Sequence, residues 1–304
     1  MRYVTVTPNP CFDLTLRVGD FVFDDPNRVY EETVQSAGKG VNVSLAFAAH
    51  GLDVVTLMPA GRDNFARYAA GLPQELGLRA VLMDGAVREN MTVCSDDGKI
   101  VKLNRRGAAY TPQAHGELLD LIRQTVRDGD HCVICGSLPP AMTHAQLLEA
   151  AKTAADSGAR VSVDTDGLSR EVLHAMKPFV IKPNHVELAR LFGKERLDES
   201  ECREAALELV ADGVQNVAVS LGGDGLLLVN ARQQVRVGAP QVAVVSTVSA
   251  GDSALAGLLM HCDEDIETAA RWAAAYGSAA VMQPGSTVGD RETAARLFEQ
   301  IHAV

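Results

Sequence analysis

Short apolar runs alternate with longer helical segments along most of this chain, and this alternation restricts the fold more than any other feature. The predicted strands are Tyr3–Val6, Val54–Met58, His131–Cys135, Val161–Asp164, Phe179–Lys182, Val217–Ser220 and Leu226–Val229. The predicted helices are Lys39–His50, Asn64–Leu76, Gln113–Arg127, His144–Ser157, Val186–Phe192, Glu199–Ala211, Asp252–His261, Ile266–Met282 and Arg291–Ile301. Several strands are apolar almost throughout, which is typical of parallel strands covered on both faces. The pattern predicts a doubly wound, mostly parallel α/β sheet with right-handed crossovers.

Two segments depart from this alternation, at residues 12–34 and 87–107. Both alternate polar and apolar residues without a helical pattern, and the second contains the hairpin signal Asp96-Asp97-Gly98. We expect them to form a small antiparallel β lid outside the main sheet, which serves as a cover, an oligomer surface, or both. Residues 1–304 are then expected to form one domain that carries this lid.

The charge balance argues against a nucleic-acid partner. The chain has 28 basic and 39 acidic residues, a net charge of −11 with neutral histidines, whereas proteins that bind a nucleic-acid backbone usually carry excess positive charge. An anionic substrate must therefore be held by a local group of Lys, Arg and backbone N–H groups.

Apolar runs and cysteine spacing exclude two further classes of function. No run approaches the ~20 residues of a membrane span, and the N-terminal apolar stretch is too short for a signal peptide, so we expect a cytoplasmic protein with no membrane partner. Only Cys132 and Cys135 have the spacing of a redox or zinc pair. They lie in a predicted strand that points them to opposite faces, which favours buried apolar residues.

The segment Ser246–Gly257 opens with small residues and continues into an apolar helix. The N–H groups at a helix N-terminus attract anions, and small side chains allow a phosphate to approach the backbone. Asp252 lies in the first turn of this helix. It is either a helix cap or a base that receives a hydroxyl proton during phosphoryl transfer.

A second glycine-containing segment, Ser36–Asn42, places Lys39 between two glycines at the start of a helix. It could hold an anion or a polyol close to the backbone, or it could be a simple turn before the helix. It is not a P-loop, because the sequence G-x-x-x-x-G-K-[S/T] is absent from the chain.

Two more segments follow predicted strands. In Lys182–Glu187, Asn184 is expected to cap the next helix; this capping does not account for Glu187, which could position Mg²⁺ through water. Ser220–Gly225 lacks the dinucleotide pattern G-x-G-x-x-G. It is either a Gly-rich hairpin or a loop beside a nucleotide.

Four polar residues in or near the lid segments suit a sugar phosphate. The carboxylate and amide groups of Asp13, Asn9 and Asn90 suit sugar hydroxyls, and Arg88 suits a phosphate monoester. Taken singly, each could equally be a solvated surface group.

Together these segments resemble the ribokinase-like sugar kinases, specifically the phosphofructokinase B branch. The matching motifs occur in the family's order and spacing, nearly end to end: Thr7-Pro-Asn-Pro-x-x-Asp13, Ala37-Gly-Lys-Gly-Val-Asn42, Gly136-Ser-Leu-Pro-Pro140, Asp164-Thr165, Lys182-Pro-Asn-x-x-Glu187, Leu221-Gly-Gly-Asp-Gly225 and Val248-Ser-Ala-Gly-Asp252. The resemblance implies a ribokinase-like fold and transfer of a phosphoryl group from MgATP to a sugar-phosphate hydroxyl.

The resemblance also implies a role for each motif. Asp252 would be the catalytic base, and the N–H groups of Ala250, Gly251 and Asp252, which follow Ser249, would bind the migrating phosphoryl group. The residues that would contact the sugar phosphate are Asp13, Gly38, Lys39, Asn42, Arg88, Asn90 and Ser137. Those that would border ATP or organise Mg²⁺ and its waters are Asn184, Glu187, Ser220, Gly222, Gly223 and Gly225. In this branch the lid often mediates dimerisation, so a homodimer is expected.

The expected reaction is phosphorylation of fructose 1-phosphate to fructose 1,6-bisphosphate, with fructose 6-phosphate and tagatose 6-phosphate as alternative substrates. One departure from the family motif supports an alternative of another class. Ser249 stands where the family usually has glycine, and its Cβ could crowd the phosphate or resist a backbone conformation suited to glycine, whereas its hydroxyl could add a donor. A sugar-phosphate sensor that has lost catalysis is the corresponding alternative.

Overall fold

The computed structural model describes residues 1–304 and is built around a nine-stranded sheet. Its strands are β1 (Tyr3–Val6), β4 (Val54–Gly61), β5 (Arg79–Met83), β8 (His131–Cys135), β9 (Arg160–Asp164), β10 (Val180–Ile181), β11 (Asn216–Ser220), β12 (Leu226–Asn230) and β13 (Gln234–Val237). Their order is β13-β12-β11-β10-β9-β8-β1-β4-β5. All neighbouring pairs are parallel except β11/β12 and β12/β13, which are antiparallel. The predicted doubly wound, mostly parallel sheet is confirmed.

Helices cover both faces of this sheet. They are α1 (Lys39–Ala49), α2 (Phe65–Ala70), α3 (Pro112–Thr125), α4 (His144–Asp156), α5 (Arg170–Met176), α6 (His185–Leu191), α7 (Glu199–Ala211), α8 (Ala250–Met260), α9 (Ile266–Val281) and α10 (Arg291–Phe298). One apolar core packs α1, α8, α9 and α10 against one face, and two others pack α3 and α4, and α6 and α7, against the opposite face. None of these helices combines the length and apolar character needed to cross a membrane.

The two spaced cysteines follow the alternation of β8. Cys135 belongs to the first of these cores and Cys132 to the second, and both are buried free thiols. The side chains therefore point to opposite faces of the sheet, as the sequence predicts, and they act as small apolar residues.

The predicted helix Asn64–Leu76 is wrong in its second half. Helix α2 ends at Ala70, and Gln74–Leu76 forms a separate 3₁₀ turn. Pro73 explains the break, because proline lacks the N–H that a continuing helix would need and its ring clashes with the preceding turn. Three short elements, β5, β13 and α5, were not predicted. Of these, β5 and β13 lie at the two edges of the sheet, where half-exposed strands carry polar residues.

The predicted lid is a four-stranded sheet made of β2 (Cys11–Val18), β3 (Val29–Ala37), β6 (Arg88–Ser95) and β7 (Ile100–Asn104), in the order β3-β2-β6-β7. The pairs β2/β3 and β6/β7 are antiparallel hairpins, and β2 joins β6 in parallel. This register places Asp13 beside Asn90. The lid thus brings together polar residues that lie far apart in the sequence.

Candidate active site

A cavity of about 1030 Å³ lies between the lid and the carboxyl ends of the parallel strands. In a doubly wound sheet, ligands bind at this edge, because the loops that follow the strands meet there. Every predicted site residue lines this one cavity: Asp13, Gly38, Lys39, Asn42, Arg88, Asn90, Ser137, Asn184, Glu187, Ser220, Gly222, Gly223, Gly225, Ser249, Ala250, Gly251 and Asp252. The structure therefore brings all of the motifs together, while the role of each residue stays a prediction.

Helix α8 points its N-terminus into the cavity. Its first intrahelical backbone bond runs from Ser253 N to Ser249 O, at 2.8 Å. The N–H groups of Ala250, Gly251 and Asp252 therefore have no acceptor within the helix, which is the general condition at a helix N-terminus. These three N–H groups and the helix dipole provide a site for an anion.

Ser249 adopts the left-handed conformation, with φ 63° and ψ −4°. This is a conformation that glycine adopts without strain and serine does not. The Ser249 hydroxyl donates to the Thr287 carbonyl at 2.8 Å. The side chain thus helps to anchor the strained residue, and its hydroxyl proton is directed to a backbone oxygen rather than to the anion site.

Asp252 is buried in the first turn of α8. Its Oδ2 accepts a hydrogen bond from Asn42 Nδ2 at 2.8 Å. Burial, together with the nearby Asp164 carboxylate, raises the pKa of Asp252 to about 6, although the Asn42 bond and the charges of Lys39 and Lys182 oppose this shift. A carboxylate with such a pKa is still ionised at neutral pH, and it is a better proton acceptor than an ordinary aspartate.

Two lysines share the Asp164 carboxylate beside this site. Lys182 Nζ lies 3.6 Å from Asp164 Oδ2, and Lys39 Nζ lies 3.7 Å from Asp164 Oδ1 and 3.0 Å from Asp166 Oδ1. Burial opposes the charge of Lys39, but the two carboxylates hold the pKa of that ammonium above its usual value. A Cβ added at Gly251 would lie 3.1 Å from Lys182 Nζ, so this ammonium lies directly beside the N-terminus of α8.

Lys182, Asp164 and Asp166 are cavity residues that the predicted site lacks. A signal for two of them was present in the sequence. Asp164 is the last residue of a predicted strand, and Lys182 ends another, so both had to reach the same edge of the sheet. Their pairing through space could not be read from the chain.

The structure corrects one point of the sequence analysis: helix capping involves Glu187 as well as Asn184. Asn184 Oδ1 accepts from the N–H groups of Val186 and Glu187, and Glu187 Oε2 accepts from Asn184 N, each at 2.9 Å. This is a reciprocal capping box, so helix capping accounts for both residues. Glu187 still lines the cavity, and its second oxygen has no bond in the cap.

The glycine segment Ser220–Gly225 connects two antiparallel strands, β11 and β12. This confirms the interpretation of the segment as a hairpin. A Cβ added at Gly225, where φ is +111°, would lie 2.0 Å from the Val237 carbonyl oxygen. Gly225 is therefore required by the fold itself. A Cβ at Gly222 or Gly223 would meet nothing within 4 Å, so this part of the loop leaves room for a ligand.

At the other end of the cavity, the carboxylate of Asp13 on the lid accepts hydrogen bonds from several donors. Asp13 Oδ1 accepts from Asn90 Nδ2 at 3.2 Å and from Cys11 Sγ at 3.4 Å, and Asp13 Oδ2 accepts from Ser286 Oγ at 2.6 Å. Ser286 was missed because no recognisable pattern surrounds it. Ser286 follows α9 in the sequence, and only the fold of the chain brings it to the lid.

Arg88 also reaches into this end of the cavity. Its Nη2 donates to Ser137 Oγ at 3.0 Å and its Nη1 to the Arg105 carbonyl at 3.3 Å. Its Nε is buried without a partner. Because a buried donor without an acceptor is unfavourable, this guanidinium is suited to an additional anionic ligand.

The side chains also limit how a metal ion could be held. No group of three or more His, Cys, Asp or Glu side chains is arranged to bind one. Mg²⁺ commonly keeps several waters and takes its other ligands from one or two carboxylates and from substrate phosphates. The free oxygen of Glu187 beside the cavity fits that mode of binding through water.

Comparisons with known proteins agree with the fold and identify a family of similar sequences. The sequence profile of the pfkB family of carbohydrate kinases matches residues 1–294. The 1-phosphofructokinase of Vibrio cholerae is 31% identical over 307 residues, covering 99% of this chain and 96% of the relative. That of Rhodobacter capsulatus is 33% identical over 312 residues, covering 99% and 97%. The crystal structure of phosphofructokinase-2 from Escherichia coli in complex with substrates and products superposes with a TM-score of 0.90, at 27% identity and 99% coverage of both chains.

Proposed function

The chain belongs to the pfkB family of carbohydrate kinases, and we propose that it transfers the γ-phosphoryl group of MgATP to a ketohexose monophosphate. The preferred substrate is fructose 1-phosphate, which would give fructose 1,6-bisphosphate, in line with the similar 1-phosphofructokinases. The observation that carries this proposal is the position of buried Asp252 in the first turn of α8, in the same cavity as Arg88.

Asp252 would act as the general base. The acceptor hydroxyl would donate its proton to the carboxylate as its oxygen forms a bond to the γ-phosphorus and the bond to the ADP oxygen breaks. The free N–H groups at the start of α8 and the Lys182 ammonium supply positive potential for the three equatorial phosphoryl oxygens. Phosphoryl transfer depends mainly on such alignment and electrostatic stabilisation.

The sugar phosphate would lie under the lid. Arg88 and Ser137, with Asn90 beside them, would bind the phosphate that the substrate already carries. The oxygens of Asp13 and the unpartnered Oδ1 of Asn42 would accept hydrogen bonds from sugar hydroxyls, while Gly38 lets the sugar approach the backbone. The Lys39 ammonium is held by Asp164 and Asp166, so we assign it to the phosphoryl end of the substrate.

ATP would occupy the part of the cavity next to the glycine segment. Ser220, Gly222 and Gly223 border that space, and Gly225 sets the bend of the loop. Glu187 would hold the waters of Mg²⁺, with Asn184 fixing the orientation of its side chain. Mg²⁺ bound to the phosphates would neutralise part of their negative charge.

Fructose 6-phosphate and tagatose 6-phosphate remain alternative substrates, because each also carries one phosphate at an end of a ketohexose chain. The sensor alternative rested on Ser249. Since the Ser249 hydroxyl is bonded to the Thr287 carbonyl and α8 keeps its free N–H groups, the substitution leaves the anion site intact. The geometry therefore favours a working kinase over a sensor.

We further propose a homodimer that forms through the lid. The lid strands expose five large apolar side chains, Val29, Tyr30, Ile100, Val101 and Leu103. All five lie on β3 and β7, the two outer strands of the lid, and exposed apolar side chains concentrated on one small sheet are typical of an interface. Replacing Ile100 and Leu103 together with Lys should convert a dimer to a monomer in analytical ultracentrifugation. The double substitution Val244→Lys, Val245→Lys, at exposed apolar residues outside the lid, is the control and should leave the assembly unchanged.

A substrate panel tests the proposed reaction. Purified protein is incubated with MgATP and each ketohexose monophosphate or unphosphorylated ketohexose. ADP release is measured with a coupled assay, and the position of the new phosphate is read by phosphorus NMR. We expect the highest kcat/KM with fructose 1-phosphate. Turnover of unphosphorylated sugars only, or binding of sugar phosphates without turnover, would refute the proposal.

A further inference from the structure

The connection between α9 and α10 contacts both halves of the proposed site. On one side it contacts the lid, and on the other it contacts the segment that precedes α8. Ser286 lies in this connection and is buried. None of the sequence motifs includes it.

Ser286 is bonded to a cross-strand pair of the lid. Its hydroxyl donates to Asp13 Oδ2 at 2.6 Å, and its backbone N–H donates to Gln35 Oε1 at 3.2 Å. Asp13 and Gln35 are directly opposite each other on β2 and β3. Gly285 is in close contact with the same lid residue, since a Cβ added there would lie 2.7 Å from Gln35 Oε1. The connection is therefore docked closely against the lid.

The neighbours of Ser286 hold the start of α8. The Thr287 carbonyl accepts from Ser249 Oγ at 2.8 Å, and the Gly285 carbonyl accepts from Ser246 Oγ at 3.0 Å. Because both flanking residues are bound to this segment, Ser286 is fixed relative to the anion site at α8. It can therefore hold a lid residue at a defined distance from that site.

We infer that Ser286 is a positioning residue for the sugar substrate and acts by orienting the carboxylate of Asp13. Asp13 Oδ1 already accepts bonds from Asn90 and Cys11, whereas Ser286 is the partner of Oδ2. Without that donor the carboxylate could rotate, and its free lone pairs would no longer be directed at the sugar hydroxyls. A hydrogen bond to a carboxylate is among the stronger polar contacts in proteins. The inference rests on the proposed function, which assigns Asp13 to the sugar.

The test compares Ser286→Ala and Ser286→Cys with the wild-type enzyme, using the sugar phosphate that the substrate panel identifies. Loss of a hydrogen bond to a charged group should raise KM for that substrate about tenfold in the alanine variant. The cysteine variant keeps a weak donor of similar size and should give about a threefold rise. For both variants, kcat and KM for ATP should stay within about twofold of wild type, because the contacts of α8 with this connection are made by neighbouring backbone carbonyls.

Ser95→Ala is the matched control. Ser95 is also a buried serine whose hydroxyl donates to an aspartate, Asp97, but it lies at the far end of the lid. It should leave KM for the sugar phosphate unchanged. A second readout is the combination of Ser286→Ala with Asp13→Asn: if the serine acts through Asp13, the alanine substitution should change KM less than twofold in that background.

An unchanged KM in Ser286→Ala, an equal rise in KM for ATP, or multiplied effects in the double variant would each overturn the inference. These outcomes leave the wild-type reaction intact and are therefore distinct from failure of the proposed function. That failure is seen in the wild-type protein itself, as absence of turnover with every ketohexose phosphate.

Discussion

Replacing Asp252 with Asn should make the protein more stable while it removes most of its activity. The pKa of Asp252 rises from 3.8 to about 6 on folding, mainly through burial. At 1.36 kcal/mol for each pH unit, the ionised carboxylate costs roughly 3 kcal/mol of stability above pH 6. Asparagine is neutral, and its amide oxygen can still accept the bond from Asn42, so the Asp252→Asn variant avoids this cost.

The sign of this effect predicts its pH dependence. The pKa is raised in the folded state, so the folded protein binds the proton more tightly than the unfolded chain does. The cost of Asp252 is therefore complete above pH 6, falls to about half near pH 5, and disappears below about pH 4. We expect the variant to be more stable by about 2–3 kcal/mol at pH 7.5 in urea-induced unfolding, and by about half as much at pH 5. The kcat should fall by ~10²–10⁴, because the proposed general base is lost, while the KM for ATP changes little.

Asp265→Asn is the matched control for this experiment. Asp265 also lies at a helix N-terminus, but it is exposed, and hydrogen bonds from Thr268 lower its pKa. Its replacement should leave kcat unchanged and should not raise stability. An Asp252→Asn variant that unfolds more easily than wild type at pH 7.5 would refute the claim that burial makes the ionised carboxylate destabilising. A variant that keeps wild-type turnover would refute the claim that Asp252 is the base.

Three further predictions concern the same cavity. In wild-type enzyme, kcat/KM should fall with decreasing pH with a midpoint near 6, because Asp252 must be ionised to accept the proton; a midpoint near 4 in the pH–rate profile would mean that burial does not tune this group. Arg88→Ala should weaken binding of the sugar phosphate by ~1.5–3 kcal/mol through loss of charge-assisted hydrogen bonds, seen as a higher KM for that substrate only, and an unchanged KM would contradict the phosphate assignment. Ser249→Gly should change the stability little, since the relieved left-handed strain and the lost bond to Thr287 are each worth about 1 kcal/mol and oppose each other. It should keep kcat within about threefold of wild type, because the Ser249 hydroxyl is bonded to the Thr287 carbonyl and not directed at the anion site; a change in kcat of more than tenfold in steady-state assays would show that this side chain acts directly on the phosphoryl group.

The sequence predicted the main sheet because its central strands are covered on both faces and are therefore almost wholly apolar. The edges were harder to predict for the opposite reason. β5 begins with Arg79, and β13 carries Gln234 and Arg236, because an edge strand is partly exposed and its apolar pattern is diluted. The break in the helix predicted for residues 64–76 could have been predicted from the sequence, since Pro73 lies inside this range.

The same distinction holds for the site: local sequence patterns predicted some of its residues, but they did not predict the contacts between distant parts of the chain. Asp252 and the small residues around it could be found because a helix N-terminus that holds an anion needs adjacent small residues. The pairing of Lys39 and Lys182 through Asp164 joins the start of α1 to the ends of two strands, and these three sites are far apart in the chain. The bond from Ser286 to Asp13 spans almost the whole sequence. Such contacts follow from the order of the strands and from the path of one connection, which local patterns do not encode.

An acidic chain can hold two polyanionic substrates because its cavity separates two kinds of positive charge. The lysines beside α8 are paired with carboxylates, so in the proposed reaction each would help to align a phosphoryl group without adding much net charge. Arg88 has only neutral acceptors and one unpartnered donor. Binding of an anion to Arg88 therefore breaks no ion pair, whereas binding to either lysine must compete with Asp164 or Asp166. Tight binding should thus be concentrated at the phosphate that stays on the sugar, and the weaker, balanced field should act on the phosphoryl group that must leave ATP. This division suits a transferase, because strong ground-state binding of the migrating group would raise the barrier to its transfer.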